Sequence, residues 1–150
     1  KGDLSVATLK RLFAEKCREL GVPMRADNED SFITRASSCF SEELGGSRNY
    51  AVSFCDAGFG PGSCGVLLRG IADENVAVTS LDLSCNSVGD AGARALAEAF
   101  GAIPQLQSLE VRSAGIGPAG QAVIYGALLR NTVLCTLDLG SMGEIGRNVA

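Results

Sequence analysis

The chain has 150 residues, long enough for one domain and short for two, and its 46% hydrophobic and 20% charged residues are ordinary for a folded protein. Its formal net charge is −4, and its basic residues are scattered rather than gathered into the basic face of a nucleic-acid binder. No apolar run approaches the length that spans a bilayer, and no secretory signal is visible, so neither a membrane nor a nucleic-acid partner is expected.

The lack of His excludes Ser-His and Cys-His nucleophile pairs. It also leaves any zinc site to four Cys or to carboxylates. The cysteines Cys17, Cys39, Cys55, Cys64, Cys85 and Cys135 form no CxxC pair. They read as free thiols filling small buried volumes in a reducing compartment, with a disulfide framework as the alternative. The chain opens on Lys1 rather than Met, as expected of an excised portion.

Leu4, Val6, Leu9, Leu12, Phe13, Cys17 and Leu20 lie at helical spacing, which predicts a helix over Leu4–Leu20. Asp3 or Ser5 can cap its start, and Gly21 followed by Pro23 stops it. Its basic group (Lys10, Arg11, Lys16, Arg18) is interleaved with Glu15 and Glu19, the pattern of a solvated face. Arg25 to Asp30 reads as a polar turn. Phe32, Ile33, Ala36, Phe40 and Leu44 share one face, so a second helix is expected from Asp30 or Ser31 to Gly45-Gly46.

Tyr50 to Phe54 alternates as a strand, and from there the text repeats. A shift of 28 carries Leu81, Leu83, Val88, Gly89 and Gly92 onto Leu109, Val111, Ile116, Gly117 and Gly120. A further 28 carries Leu109 and Val111 onto Leu137 and Leu139, and a shift of 29 carries Val52 and Phe54 onto Leu81 and Leu83. A fixed period of this size means stacked supersecondary units. The units are 50–77, 78–105, 106–133 and a partial 134–150, with helical halves Pro61–Asp73, Asp90–Gly101 and Pro118–Arg130. Each helix follows a glycine (Gly60, Gly89, Gly117), and its first residue is Pro61, Asp90 or Pro118. Proline there loses no bonded N–H, and an acid meets the positive helix end. Gly92, Ala93, Ala97, Gly120 and Ala122 are small enough for helix to approach strand, while Leu67, Ile71, Leu96, Phe100, Ile124 and Leu128 supply core bulk.

Unit two, VTSLDLSCNSVGDAGARALAEAF, resembles the leucine-rich repeat in its long, ribonuclease-inhibitor-like subclass of 28- and 29-residue units. The resemblance implies an α/β solenoid over 50–150, with parallel strands on a concave face and helices on a convex face. CRELGVPM resembles the helical lead-in of some such proteins. Residues 1–49 are then a helical cap, with Phe13, Leu20, Phe32 and Phe40 covering the first repeat; a docking helix for a second protein is the alternative. The chain departs from the family pattern at the bend. Ala57 and Ala114 stand where unit two has Asn86, so the side-chain ladder is expected to break and leave backbone groups to other partners. MGEIG (142–146) aligns with VGDAG (88–92) only if two residues are lost. An open C-terminal end is expected to be continued by further repeats or covered by a partner.

No catalytic, cofactor-binding or metal-binding residue emerges. Gly58 to Gly62 and Gly115 to Gly120 are glycine-rich, but no GKS or GKT follows, and the repeat makes both strand-to-helix turns. Cys55 and Cys85 fall near the ends of neighbouring strands with no base or cation beside them. Side chains between the core positions point to the concave face in three columns. These are Ser53, Asp82, Glu110, Asp138; Cys55, Ser84, Arg112, Gly140; and Ala51, Ser80, Ser108, Thr136. The acids, at rungs ~4.8 Å apart, would form a stripe that steers a basic partner, with Arg112 neutralising part of it. The candidate partner-binding set is Ser53, Ser80, Asp82, Ser84, Ser108, Glu110, Arg112, Thr136 and Asp138. The resemblance implies a non-enzymatic protein-interaction module, a cytoplasmic scaffold or adaptor in a cytoskeletal or ciliary assembly. The alternatives are an enzyme regulator, such as a GTPase activator of the Ran type or a ribonuclease-inhibitor-like inhibitor, and an innate-immune-type receptor, which would need a nucleotide-binding domain.

Overall fold

The computed structural model describes residues 4–39, 50–74, 76–131 and 133–140. Helix α1 (Val6–Leu20) is capped by Ser5, whose Oγ accepts the Thr8 N–H at 3.1 Å. It ends where Gly21 turns left-handed at φ 69°, with Gly21 N–H donating to Arg18 O at 3.2 Å and Val22 N–H to Cys17 O at 3.1 Å. Leu9, Leu12, Phe13 and Cys17 face inward. Leu20 does not; it is 54% exposed, so the covering role expected of it falls to the other residues of α1.

Helix α2 (Ala26–Cys39) begins at Ala26, ahead of the expected Asp30 or Ser31. The stretch read as a polar turn is its first turn, where Asp27 and Glu29 meet the positive helix end. Ala36 is buried and Phe32 and Ile33 are partly buried. The Phe13 and Phe32 rings tie the two helices together with centroids 5.4 Å apart. Phe40 and Leu44 lie outside the described residues, as does MGEIG.

From Tyr50 strands and helices alternate: β1 (Tyr50–Ser53), α3 (Pro61–Asp73), β2 (Val78–Asp82), α4 (Gly89–Ala102), β3 (Ser108–Glu110), α5 (Pro118–Leu128) and β4 (Thr136–Asp138). The strands form one parallel sheet in the order β1-β2-β3-β4. Val52 pairs with Leu81, Leu81 with Leu109 and Leu109 with Leu137, which is the register expected from the shifts of 29 and 28. A one-residue slip would have sent every strand leucine to the wrong face. Helices α3, α4 and α5 lie side by side in a second layer, α1 extends that layer beyond α3, and α2 packs against α1. Between the layers Leu67, Ile71, Leu81, Leu83, Leu96, Leu109, Val111 and Ile124 are all removed from solvent.

The helical glycines make room both against their own strand-to-helix bend and between helices. A Cβ at Gly120 would fall 2.7 Å from Ile116 of its own bend, and 2.6 Å from Asp90 Oδ1 and 3.0 Å from the Ala93 Cβ on α4. One at Gly92 would fall 2.5 Å from Val88 and 3.6 Å from the Pro61 Cα at the start of α3. Ala122, expected among these close-approach residues, is exposed. The absence of a side chain at Gly92 and Gly120 therefore lets successive helices stack closely.

Candidate functional site

The strand pairing aligns the expected acidic column. Ser53 pairs with Asp82, Asp82 with Glu110 and Glu110 with Asp138. A second aligned column contains Ala51, Ser80, Ser108 and Thr136. Ser53, Thr136 and Arg112 are exposed, and Ser80, Asp82, Ser108, Glu110 and Asp138 are partly exposed. These eight residues lie on the sheet face turned away from the helices. Arg112 Nε comes within 3.8 Å of Asp138 Oδ2, which offsets one end of the acid row. The Ser53 hydroxyl donates to Asp82 Oδ2 at 3.3 Å, and among the described residues no cation pairs with Asp82 or Glu110 at the middle of the row. At a ~4.8 Å rung spacing two full charges repel by about 1 kcal/mol in bulk water, so a cation laid along the row is attracted by several acids at once.

The ninth candidate differs. Ser84 is only 5% exposed. Strand alternation ends before it, and its groups turn to the neighbouring chain segments. Its Oγ accepts the Arg112 N–H at 3.0 Å, and its carbonyl accepts the Asp56 N–H at 2.9 Å. Ser84 is therefore a strut between units and not a surface residue.

The acids also have a local task that their spacing in the sequence left unread. Asp82 Oδ1 accepts the N–H of Ser84 at 3.0 Å, and Asp138 Oδ1 accepts that of Gly140 at 2.9 Å. Each carboxylate caps the bend two residues on, the habit of Asp in turns. Glu110 is one methylene longer, and the N–H two residues after it, on Arg112, is taken by Ser84 Oγ instead. At the same position of the first three units the chain enters the left-handed region: Asp56 (φ 54°), Cys85 (φ 62°) and Ser113 (φ 51°). A non-glycine residue there costs about 1–2 kcal/mol, which the surrounding hydrogen bonds must cover.

The Asn86 ladder is single rather than absent. Its Oδ1 accepts the N–H groups of Ala57 and Phe59 from the preceding unit, each at 3.0 Å. Its Nδ2 donates to Phe54 O and Leu83 O, each at 2.9 Å. Unit one thus needs no asparagine of its own, because unit two supplies the partner. A second inter-unit device went unseen in the sequence. Asp90, on the first turn of α4, accepts from Gly117 N–H at 2.7 Å and Gly120 N–H at 3.2 Å, capping α5 from outside. Glu19 does the same for α3 by accepting the Ser63 N–H, so it is not part of a solvated face.

The thiols are not uniformly core. Cys17 and Cys64 are buried, Cys39 is intermediate, and Cys55, Cys85 and Cys135 are exposed. Burial, with the Glu19 charge, pushes the Cys64 thiol up to about 12. Desolvation, then a hydrogen bond to Cys85, then the charges of Cys85, Asp82 and Asp56 raise the Cys55 thiol. A nucleophilic cysteine needs the opposite shift. Among the described residues no group of three or more His, Cys, Asp or Glu could hold a metal ion, and no helix is long and apolar enough to cross a membrane.

Residues 75–97 match the family model described as a Leucine Rich repeat. The match spans the strand, bend and first turns of unit two, and it supports reading the chain as a leucine-rich repeat protein with a mixed helix and parallel-strand fold. Repeats of this family generally mediate protein–protein interaction and are typically non-enzymatic. No curated protein matches the chain.

Proposed function

We propose that the polar face of the sheet binds another protein, and that the chain works as a non-enzymatic interaction module with a basic partner segment. The observation that carries this is the in-register row Ser53, Asp82, Glu110, Asp138, with Asp82 and Glu110 at its centre facing no cation among the described residues. A partner lysine or arginine placed over two rungs gains from both acids and displaces only water and a serine hydroxyl. Asp82 and Asp138 each keep one oxygen on the bend N–H, so their orientation is fixed before binding, and for the other oxygen a ligand competes with the Ser53 hydroxyl at Asp82 and with Arg112 at Asp138.

The wider setting is an intracellular scaffold or adaptor of the ribonuclease-inhibitor-like repeat subclass, serving a cytoskeletal or ciliary assembly in the cytoplasm. Analogy of fold supports that setting. The alternative of a GTPase activator or a nuclease inhibitor has no residue of this chain behind it.

The test is capture of the full-length protein with its partners from native cells, followed by a carbodiimide cross-linker that joins carboxylates to lysines in contact. Cross-links from Asp82 or Glu110 to a partner lysine are the expected result. Partner cross-links confined to other carboxylates would assign the interface elsewhere.

A further inference from the structure

A second surface of opposite charge lies where α1 ends and α2 begins. Val22 and Pro23 join the helices there, and beside them opens a cleft of about 470 Å³. Its floor is the Phe13–Phe32 ring pair, and its wall is formed by Leu20 and Val22. Leu20 is 54% exposed, Val22 48% and the adjoining Met24 65%, so three large apolar side chains face solvent within five residues. A helical cap has no need of this, since its inward face is already filled by Leu9, Leu12 and Cys17. Contiguous exposed apolar surface with a polar rim marks an interaction site.

The rim decides the partner. The charged residues lining the cleft, among the described residues, are Lys16, Arg25 and Arg35, all basic, in a chain whose net charge is −4. None of the three forms an ion pair with another described residue. Lys16 Nζ stands 5.8 Å from the Phe32 ring centroid, so one cation is held over the apolar floor. A smaller cleft of about 210 Å³ shares Lys16, Phe32 and Arg35 and runs on to the Cys55–Asp56 bend, which gives the track length along α2.

We infer that this cleft docks an acidic amphipathic segment of a partner protein, its apolar side chains on Phe13, Phe32 and Leu20 and its carboxylates on Lys16, Arg25 and Arg35. Helix-in-groove recognition uses this arrangement of apolar anchors with a charged surround. The inference is separate from the sheet-face reading: the larger cleft and the acidic row are of opposite sign and share no residue, and the smaller cleft touches the row only at Ser53.

Two labelled helical peptides test it, identical in their Leu positions and differing only in whether the flanking residues are all Glu or all Lys. Fluorescence anisotropy with the folded chain should give saturable binding of the Glu peptide at least tenfold tighter than of the Lys peptide. Arg25→Glu with Arg35→Glu should reverse that order. Leu20→Ser with Val22→Ser should weaken both peptides at least tenfold while leaving the thermal melt unchanged, because both side chains are already half in solvent. Absence of saturable Glu-peptide binding overturns the inference, as does equal or preferred binding of the Lys peptide. Indifference to both double variants would overturn it too, and so would self-association of the chain through this cleft in sedimentation.

Discussion

Asn86 Oδ1 accepts the Phe59 N–H of the preceding unit at 3.0 Å, deep in the core between two rungs of the sheet. The same amide satisfies Ala57 N–H, Phe54 O and Leu83 O, so one side chain closes two bends together. Removing it strands several buried polar groups at once, each worth about 1–3 kcal/mol when left unmet. Asn86→Ala is expected to lower stability by about 3 kcal/mol or more, read as a drop in the urea midpoint at unchanged slope. A loss below about 1 kcal/mol would show that water replaces the amide.

Asp90 links helices instead of bends. Its Oδ1 bonds to Gly117 and Gly120, both at the start of α5. Asp90→Ala should cost about 1 kcal/mol, as for other lost caps, and should speed amide exchange at Gly117 and Gly120 without touching α3. Asp90→Asn keeps the acceptor oxygen and should recover most of the loss. Equal effects of the two substitutions would contradict the cap.

Leu81 is wholly buried, with Val52 and Leu109 beside it on the neighbouring strands. Leu81→Ala should cost about 3 kcal/mol through lost contacts and the cavity left behind. Leu81→Asp should abolish cooperative unfolding, because an unpaired charge in that site costs several kcal/mol. A normal melt for the aspartate variant would remove the register.

Cys64 gives stability an alkaline limit. Its thiol ionises near 9.0 when unburied and only at about 12 in the fold. Between those values the folded chain holds a proton that the unfolded chain has released, so stability falls as pH rises. The contribution is complete below pH 9 and declines by about 1.4 kcal/mol per pH unit above it. Cys64→Ala should flatten that part of the profile relative to the parent chain, as seen in urea midpoints from pH 8 to 11. An unchanged slope would locate the alkaline loss in other groups.

The sheet was legible because Leu81, Leu83 and their counterparts repeat at fixed intervals, and alternation leaves only one register that buries them. The acid row followed from that register. What escaped the sequence were contacts whose partners lie a unit apart. Nothing local distinguishes Glu19, reaching across to Ser63, from a solvated helix glutamate. Asp90 looked like a residue of its own helix end and turned out to serve the next one. Ser84 stands where strand alternation would place an outward side chain, but the chain bends there and turns the hydroxyl inward. The start of α2 was missed because Ala26 to Asp30 is polar both as a turn and as a first helical turn, and its acids suit either.

The claim that the sheet face binds a basic partner rests on Asp82, Glu110 and Asp138, and reversing all three to Lys addresses it most directly. The measurement is the yield of partners captured from native cells by the triple variant against the parent chain, at matched folding judged by thermal melts. The account predicts at least a tenfold loss, and a weaker version of the same loss for the parent chain as salt is raised. Undiminished capture by a folded triple variant would contradict it.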